Sequence, residues 1–480
     1  MAIRYLLGHE MQSVEPQSPT ETVLDHLRLR RHRLGTKEGC AEGDCGACTV
    51  VVGEVRDGAM HYRAVNSCIQ FVGTLDGKQL ITVEDLHGTD GALHPVQQAM
   101  VEAHGSQCGF CTPGIVMSLF AQAKNAQRYD PAATADALAG NLCRCTGYGP
   151  IQRAAEIAFQ NKAADAFDLM QGKTIAQLQA IKPTGSTLDY FSPRSCAELA
   201  DVYLAHPDAT LVAGGTDVGL WVTKQQRQLR PIISLSNVHD LRQIVETPTH
   251  LTIGAGVTYA EALPVLAPLW PDFAEVMRRL GSAQIRNVAT LGGNIANGSP
   301  IGDGPPCLIA LGASLILRRG TGHRCLPLEK FFLAYGKQDR QPAEFVEAIH
   351  LPKPEPGWAF RAYKISKRFD QDISALLGAF HVKIVDGMVA DIRIAFGGLA
   401  GTPKRAAKVE AALRGKPWSQ QRVAQAAQSF AEDYQPISDM RASADYRAKV
   451  AGNLLRKFHL ELTHPEAETR VTFAGRRTHA

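Results

Sequence analysis

Apolar and β-branched residues crowd positions 2–9 and 49–56, the pattern of strands with side chains buried in a sheet. Between them, 22–32 (TVLDHLRLRRH) sets Val23, Leu27 and the stem of Arg31 on one helical face, with Thr20 as capping residue. A small sheet crossed by one helix is the expectation. From Pro95 the spacing turns helical, over 95–104, 114–127, 131–139 and 149–162. Residues 164–187 are weakly patterned and end in Lys-Pro-Thr-Gly-Ser, which reads as a linker. From Tyr190 short strands and helices alternate. Runs at 376–385 and 389–396 flank Asp386-Gly387 as a hairpin would, and helical stretches follow around 403–414, 419–433 and 441–461. The last residues read as a loose basic tail.

Length sharpens this picture. A chain of 480 residues exceeds one hydrophobic core, and about three domains are expected. With 45% hydrophobic and 20% charged residues it has the balance of a globular protein. A net charge of +4, from 51 basic and 47 acidic residues, makes no case for nucleic acid or an anionic membrane as partner. The N-terminus shows no secretory pattern and no apolar run reaches 18 residues, so a cytoplasmic location is expected. Clustered thiols there read as metal ligands rather than disulfides.

Eight of the eleven cysteines lie between Cys40 and Cys145, in two groups of four. The first, Cys40, Cys45, Cys48 and Cys68, begins in the loop TKEGCAEGDCGAC at 36–48. Its C-x4-C-x2-C spacing with a distant fourth cysteine is the plant-type [2Fe–2S] pattern. Interleaved glycines allow positive φ angles and let N–H groups point at the sulfurs. The second group is Cys108 and Cys111 in QCGFCTPG, then Cys143 and Cys145 in CRCTGYGPI. Each pair is followed by Thr, Gly or Pro and a helix, a pseudo-repeat that sets two helix N-termini at one negatively charged cluster. A structural zinc protein is the alternative from another class. Cys196, Cys307 and Cys325 lack ligand spacing and read as buried structural thiols; no histidine is assigned to a metal.

These motifs resemble the two-cluster domain of the molybdenum hydroxylases, the xanthine dehydrogenase family, over about residues 1–163. Asp44 departs from the eukaryotic members, which carry Gly, at a position that ligates nothing. No G-x-G-x-x-G follows a strand in the second half, so a Rossmann site has no support. Two other glycine stretches stand out, Leu211-Val212-Ala213-Gly214-Gly215-Thr216-Asp217-Val218 and Thr290-Leu291-Gly292-Gly293-Asn294. Either alone reads as a tight turn; in both, bare N–H groups are expected to approach a phosphate. In this order they resemble the FAD-binding domain of the same family.

The resemblance implies that both stretches surround the FAD pyrophosphate. Asp303 would contact the flavin nucleotide, Lys364 would lie near the isoalloxazine edge, and Val346 would pack on the flavin. Leu280 aligns where many relatives place a Phe beside it. Taken singly, Lys364 and Lys367 read first as ordinary solvated charges. Asp370-Gln371-Asp372 resembles an acidic loop bordering the NAD site. Gln107 resembles a residue that reaches the pterin, or is a polar residue at a helix start.

The fold class implied is α+β and multidomain. A β-grasp plant-type ferredoxin domain spans 1–88, a four-helix [2Fe–2S] domain 89–163 and a linker 164–187. A two-subdomain α+β FAD-binding domain of the PCMH/VAO type spans 188–358, a C-terminal α+β flavoprotein domain 359–465, and a tail 466–480. The function implied is an electron-transfer subunit of a xanthine dehydrogenase, with no catalytic residue of substrate oxidation on this chain. Electrons would pass from molybdopterin on a separate large subunit through two clusters to FAD and NAD⁺, as hypoxanthine or xanthine becomes urate in purine catabolism. Two small and two large subunits would form a heterotetramer. An aldehyde or N-heterocycle hydroxylase subunit would carry the same cofactors.

Overall fold

The computed structural model describes residues 2–88, 91–181 and 189–470. The chain divides into two units, Met1–Val238 with Gly281–Ala289, and His239–Leu280 with Thr290–Ala480. The first expected domain is a five-stranded sheet of β1 (Ile3–Leu7), β2 (Glu10–Val14), β3 (Thr49–Arg56), β4 (Ala59–Asn66) and β5 (Gln79–Ile81). Its order is β2-β1-β5-β3-β4, with β1 and β5 parallel and the other pairs antiparallel. Alternation along the strands decides what covers each face. Ile3, Tyr5, Leu7, Val50 and Val52 join one core with Val23 and Leu27, the helical face expected from sequence. Leu6, Val51, Tyr62 and Ile81 join the other, made with the helices that follow.

The helix over the first face begins as α1 (Val23–Asp25) and widens into a π turn over His26–Arg30, where Arg31 N–H reaches the His26 carbonyl at 3.1 Å. Its cap is Thr22, whose Oγ1 accepts the Asp25 N–H at 3.0 Å; Thr20 instead bonds Ser18. The cap thus lies two residues beyond the one expected. Four helices follow, α2 (Pro95–Glu102), α3 (Thr112–Asn125), α4 (Pro131–Leu138) and α5 (Gly149–Gln160), each close to its expected bounds. Val96, Met100, Ile115, Phe120, Ile151 and Ala155 form their shared core.

The expected linker is largely ordered. It forms α6 (Ala166–Leu169) and α7 (Gln171–Ala180), with Phe167 and Leu178 in the core beneath the sheet. Asp165 caps α6 through the N–H groups of Phe167 and Asp168 and pairs with Lys124 at 2.5 Å. Phe167, Ile175, Leu178 and Ile181 pack on that core, but Leu169 and Met170 and the break between two helices of four and ten residues blur their period in the sequence. Residues 182–187 of that stretch, and 471–480 of the expected tail, lie outside the described residues. Beyond it come β6 (Tyr190–Phe191), α8 (Cys196–Ala205), β7 (Thr210–Val212), α9 (Val218–Thr223) and β8 (Ile232–Ser234), with the strands parallel in the order β6-β8-β7.

The second unit holds an antiparallel sheet in the order 322–327, 314–319, 345–352, 250–254, 244–246. A second antiparallel sheet runs 358–365, 376–385, 388–397 and 404–405, backed by helices that include Ala444–Thr463. Asp386 and Gly387 form its expected hairpin with φ of 51° and 74°, left-handed at both positions as a type I′ turn requires. The expected FAD-binding stretch therefore comprises two sheets, a parallel one in the first unit and an antiparallel one in the second. No helix among the described residues is long and apolar enough to cross a membrane.

Candidate cluster and flavin sites

The loop before β3 carries Cys40, Cys45 and Cys48, and the turn after β4 carries Cys68. Gly43 and Gly46 have φ of 78° and 70°, the left-handed backbone that the loop's curvature demands. Cys40 Sγ accepts the N–H groups of Glu42, Asp44 and Cys45, each at 3.4 Å. Thiol–thiol hydrogen bonds link Cys40 to Cys45 and Cys68, and Cys68 to Cys48. These bonds push the Cys45 and Cys68 thiols up and hold the Cys40 thiol down. Cys48 and Cys68 are buried under Leu24, Ile69, Leu220 and Ile285, while Cys40 and Cys45 are half-buried. Lys224 Nζ donates to the Cys40 carbonyl at 2.5 Å.

The second quartet sits among the helices. Cys111 is the cap of α3, and Cys143 and Cys145 lie just ahead of α5, whose cap Tyr148 has φ of 66°. Tyr148 Oη accepts the Cys143 N–H at 2.8 Å, and Thr146 Oγ1 lies 3.1 Å from Cys143 Sγ. Cys145 Sγ is 3.5 Å from Cys108 Sγ, and Cys111 bonds Cys143, with burial pushing the Cys111 thiol up to about 12. Cys108 and Cys145 are exposed. Among the described residues no three His, Cys, Asp or Glu side chains are grouped as ligands of a single metal ion. The thiols instead come together as a chain of four, Cys45–Cys40–Cys68–Cys48, and as two pairs, Cys108–Cys145 and Cys111–Cys143, and two bridged irons need four thiolates. Two groups of four thiols fit two [2Fe–2S] clusters.

The two loops meet backbone to backbone. A Cβ on Gly114 of α3 would stand 2.2 Å from the Gly46 carbonyl oxygen, and one on Gly46 2.1 Å from that of Gly140. Leu142 N–H donates to the Cys45 carbonyl at 3.0 Å. Gln107 is exposed in the loop, five residues ahead of α3, so it is not a residue of a helix start.

In the first glycine stretch, Leu211 and Val212 end β7, Ala213 to Asp217 form the turn and Val218 opens α9. Gly215 has φ of 70°, but a Cβ on Gly214 would lie 1.9 Å from the Val288 carbonyl oxygen. Gly214 thus serves close packing of two backbone segments.

The second stretch, in the other unit, starts the helix Leu291–Asn297, with Thr290 Oγ1 accepting the Gly293 N–H at 3.0 Å. The N–H groups of Leu291, Gly292 and Asn294 go to the carbonyls of Val257, Ala255 and Thr290. They are therefore not the bare phosphate donors that the sequence led one to expect. Gly292 is needed because a Cβ there would reach 2.4 Å from that of Ala255. What this region offers a ligand is different. Asn294 Oδ1 and Tyr259 Oη are buried without a hydrogen-bond partner. Both lie within 3.0 Å of the Cβ position of Gly304. Buried polar atoms of this kind require a partner, and a flavin nucleotide has polar groups to supply it.

Lys364 is buried rather than solvated, its side chain 1% exposed. Its Nζ donates to Asp303 Oδ2 at 2.6 Å and to the Arg279 carbonyl at 3.2 Å. Asp303 Oδ1 accepts from Ser374 Oγ, also at 2.6 Å. Val346 is buried opposite Leu317, Leu280 is half-buried after the helix Pro271–Arg278, and Lys367 is exposed and bonds the Met440 carbonyl. The loop with Asp370, Gln371 and Asp372 is pinned by two arginines. Arg278 reaches Asp370 at 3.3 Å, and Arg279 lies over the Phe369 ring at 4.3 Å while donating to its carbonyl at 2.9 Å. Tyr259, Arg279 and Ser374 went unnoticed in the sequence because each is a single residue, two at helix ends and one in a loop, with no motif or spacing to mark it. Of the three remaining cysteines, Cys196 and Cys307 are buried, but Cys325 is exposed on the edge strand 322–327.

Four family profiles cover these regions in order. They are "2Fe-2S iron-sulfur cluster binding domain" over 9–72, "[2Fe-2S] binding domain" over 82–156, "FAD binding domain in molybdopterin dehydrogenase" over 183–354 and "CO dehydrogenase flavoprotein C-terminal domain" over 361–462. The chain belongs to the molybdenum hydroxylase family, of which it has the two [2Fe–2S] domains and the FAD-binding and C-terminal flavoprotein domains. It is 31% identical to xanthine dehydrogenase of Drosophila pseudoobscura pseudoobscura, over 97% of the chain and 40% of that relative. It is 28% identical to aldehyde oxidase 2 of Macaca fascicularis, over 92% of the chain and 38% of the relative. The chain thus spans about two fifths of the length of these curated relatives. Among solved structures, carbon monoxide dehydrogenase from Hydrogenophaga pseudoflava matches 57% of the chain and 96% of its own, with 28% identity and a TM-score of 0.54.

Proposed function

We propose that this chain is the iron–sulfur/flavin subunit of a xanthine dehydrogenase and carries electrons from a molybdopterin-bearing large subunit to FAD and then NAD⁺. The observation that carries the direction of flow is the contrast between the quartets. Cys108 and Cys145 are exposed, while Cys48 and Cys68 lie under Leu220 and Ile285, both within the FAD-domain stretch. Electrons enter at the helical-domain cluster held by Cys108, Cys111, Cys143 and Cys145. They pass to the plant-type cluster held by Cys40, Cys45, Cys48 and Cys68.

A flavin, when bound, joins one-electron donors to a two-electron acceptor. For it, the chain provides residues 211–218, 290–294, Val346 and Leu280, with Asn294 Oδ1 as a buried polar contact. Asp303, held by Ser374 and Lys364, keeps a fixed ion pair at hand. The backbone N–H groups on Cys40 Sγ stabilise negative charge there and favour reduction of the inner cluster. Assembly as two small and two large subunits in the cytoplasm belongs to this proposal, as do the domain bounds given above.

Xanthine is preferred as substrate because the relatives matched over 97% of the chain are xanthine dehydrogenases. The likeness to aldehyde oxidase 2 keeps an aldehyde or N-heterocycle hydroxylase as second reading. The test is co-purification with the large subunit, followed by assays of iron, FAD, molybdenum and NADH formation. Four irons and one FAD per chain with xanthine-dependent NADH are expected. A colourless zinc protein would sink the whole reading, and turnover of aldehydes alone would move the assignment to the second.

A further inference from the structure

Gln284 is fully buried, in the short helix Ala283–Arg286 within the FAD-domain stretch, and its side chain ends between the two cluster-bearing loops. Its Nε2 lies 2.9 Å from Asn141 Oδ1, 3.1 Å from Ser118 Oγ and 3.2 Å from Thr49 Oγ1. Thr49 adjoins Cys48, Asn141 stands two residues before Cys143, and Ser118 belongs to the helix capped by Cys111.

Donors and acceptors in this cluster have one consistent arrangement. Thr49 Oγ1 donates to the Gly46 carbonyl at 2.6 Å and Ser118 Oγ to Asn141 Oδ1 at 2.7 Å. Asn141 Nδ2 donates to the Gly46 carbonyl at 3.2 Å and to Thr49 Oγ1 at 3.3 Å. Asn141 Oδ1, Ser118 Oγ and Thr49 Oγ1 are then acceptors toward Gln284, so its amide must present the nitrogen, whose two N–H groups are shared among them. Its Oε1 turns toward Gly140, where a Cβ would stand 2.4 Å away. Reversing the amide would set two oxygens against each other, at Asn141 Oδ1, in a site without water access. Thr49, Ser118 and Asn141 are themselves buried.

We propose that Gln284 is a positioning residue that locks the Cys45–Cys48 loop against the Cys143–Cys145 loop, and so sets the relative placement of the two clusters. This rests on the two-cluster reading above. The same segment is docked independently, by Arg286 on Asp136 at 3.1 Å and Asn287 Nδ2 on the Ala64 carbonyl at 2.9 Å. Removing the Gln284 amide therefore loosens the lock without releasing the segment.

The test uses the full chain with its clusters and compares Gln284→Leu, Gln284→Glu and Arg286→Ala. Both Gln284 variants are expected to keep four irons per chain, to lose or alter the spin–spin splitting between the reduced clusters, and to slow inter-cluster electron transfer at least tenfold. Arg286→Ala is expected to leave the splitting as in the parent chain. The same splitting and rate in both Gln284 variants would overturn the proposal, as would an equal change in Arg286→Ala. If Gln284→Leu does not fold, Gln284→Glu decides. Loss of a cluster in both would assign Gln284 to folding and refute positioning. A parent chain without two distinct [2Fe–2S] signals would instead refute the cluster reading itself.

Discussion

Gly114→Ala sets two physical effects against each other at one methyl group. Gly114 lies in the first turn of α3, and alanine in a helix is favoured over glycine by about 1 kcal/mol. Its Cβ would stand 2.2 Å from the Gly46 carbonyl oxygen, where real Cβ atoms keep at least 3.0 Å, so one backbone must retreat by about 0.8 Å. The Gly46 carbonyl has little freedom to do so. It accepts from Thr49 Oγ1 at 2.6 Å, from the Thr49 N–H at 3.1 Å and from Asn141 Nδ2 at 3.2 Å. Overpacking of this kind costs roughly 1–3 kcal/mol, and a lost hydrogen bond about 1 more. The clash wins, and Gly114→Ala is expected to destabilise the chain by about 1–3 kcal/mol.

Gly172→Ala is the internal control. Gly172 also lies in a helix, α7, but nothing stands within 4 Å of its Cβ position. There the same methyl is expected to stabilise by a few tenths to about 1 kcal/mol. Urea titration of both variants, read by helical circular dichroism and by loss of cluster absorption, gives the two signs. A Gly114→Ala chain with parent iron content and an unchanged or raised midpoint would refute the backbone contact between the cluster loops.

His381, buried against Trp358, is pushed down to about 4 by burial first and by Arg393 second. Because the fold favours its neutral form, its contribution is complete above the ordinary 6.5 and is lost as pH falls toward 4, by at most about 3 kcal/mol. Replacing it by Leu should flatten the acid side of a urea-midpoint profile between those values; an unchanged slope would contradict this. Asp303→Asn leaves Lys364 buried without its counter-charge, at a cost of about 3 kcal/mol, and should lower the ratio of bound FAD to iron. Ser374→Ala removes one bond to the same carboxylate and should cost about 1 kcal/mol; equal effects of the two variants would argue against the ordering. Arg279→Ala should speed amide exchange across 366–373 about tenfold, the effect of roughly 1.4 kcal/mol of lost cation–π and hydrogen-bond contact, and mass spectrometry would detect it.

Regular repetition decided what could be read from residues alone. The four helices around the second quartet and the hairpin at Asp386-Gly387 follow from a period and a turn chemistry, and both lie where expected. The cysteine groups follow from spacing, because thiolates wrapped by a short loop must be close in sequence. Gln284 and Ser374 had no such signal. Each acts through partners distant in sequence, Gln284 on Thr49 and Asn141, Ser374 on Asp303. Helices α6 and α7 were hidden because each is short, α6 being held by Phe167 and the Asp165–Lys124 pair and α7 by Ile175 and Leu178. The glycines misled in the opposite direction. Gly214 and Gly292 promised open N–H groups, yet both are explained by backbone passing within a Cβ radius.

The two quartets are also unequal in what stabilises charge on them. A cluster with four thiolates is net negative, and adding an electron costs more where water is excluded. Burial of Cys48 and Cys68 therefore works against reduction of the inner cluster, while exposure of Cys108 and Cys145 favours reduction of the outer one. Left there, electrons would rest at the surface and not move inward. The N–H groups of Glu42, Asp44 and Cys45 on Cys40 Sγ act the other way, although the outer sulfurs also receive backbone donors, from Phe110 on Cys108 and from Thr146 and Cys145 on Cys143. The donors on Cys40 Sγ come from backbone bent by Gly43 and Gly46 and need no particular side chain at 42 or 44. Asp44 thus contributes its backbone N–H, and a change of its side chain is expected to leave all three donors on Cys40 Sγ in place.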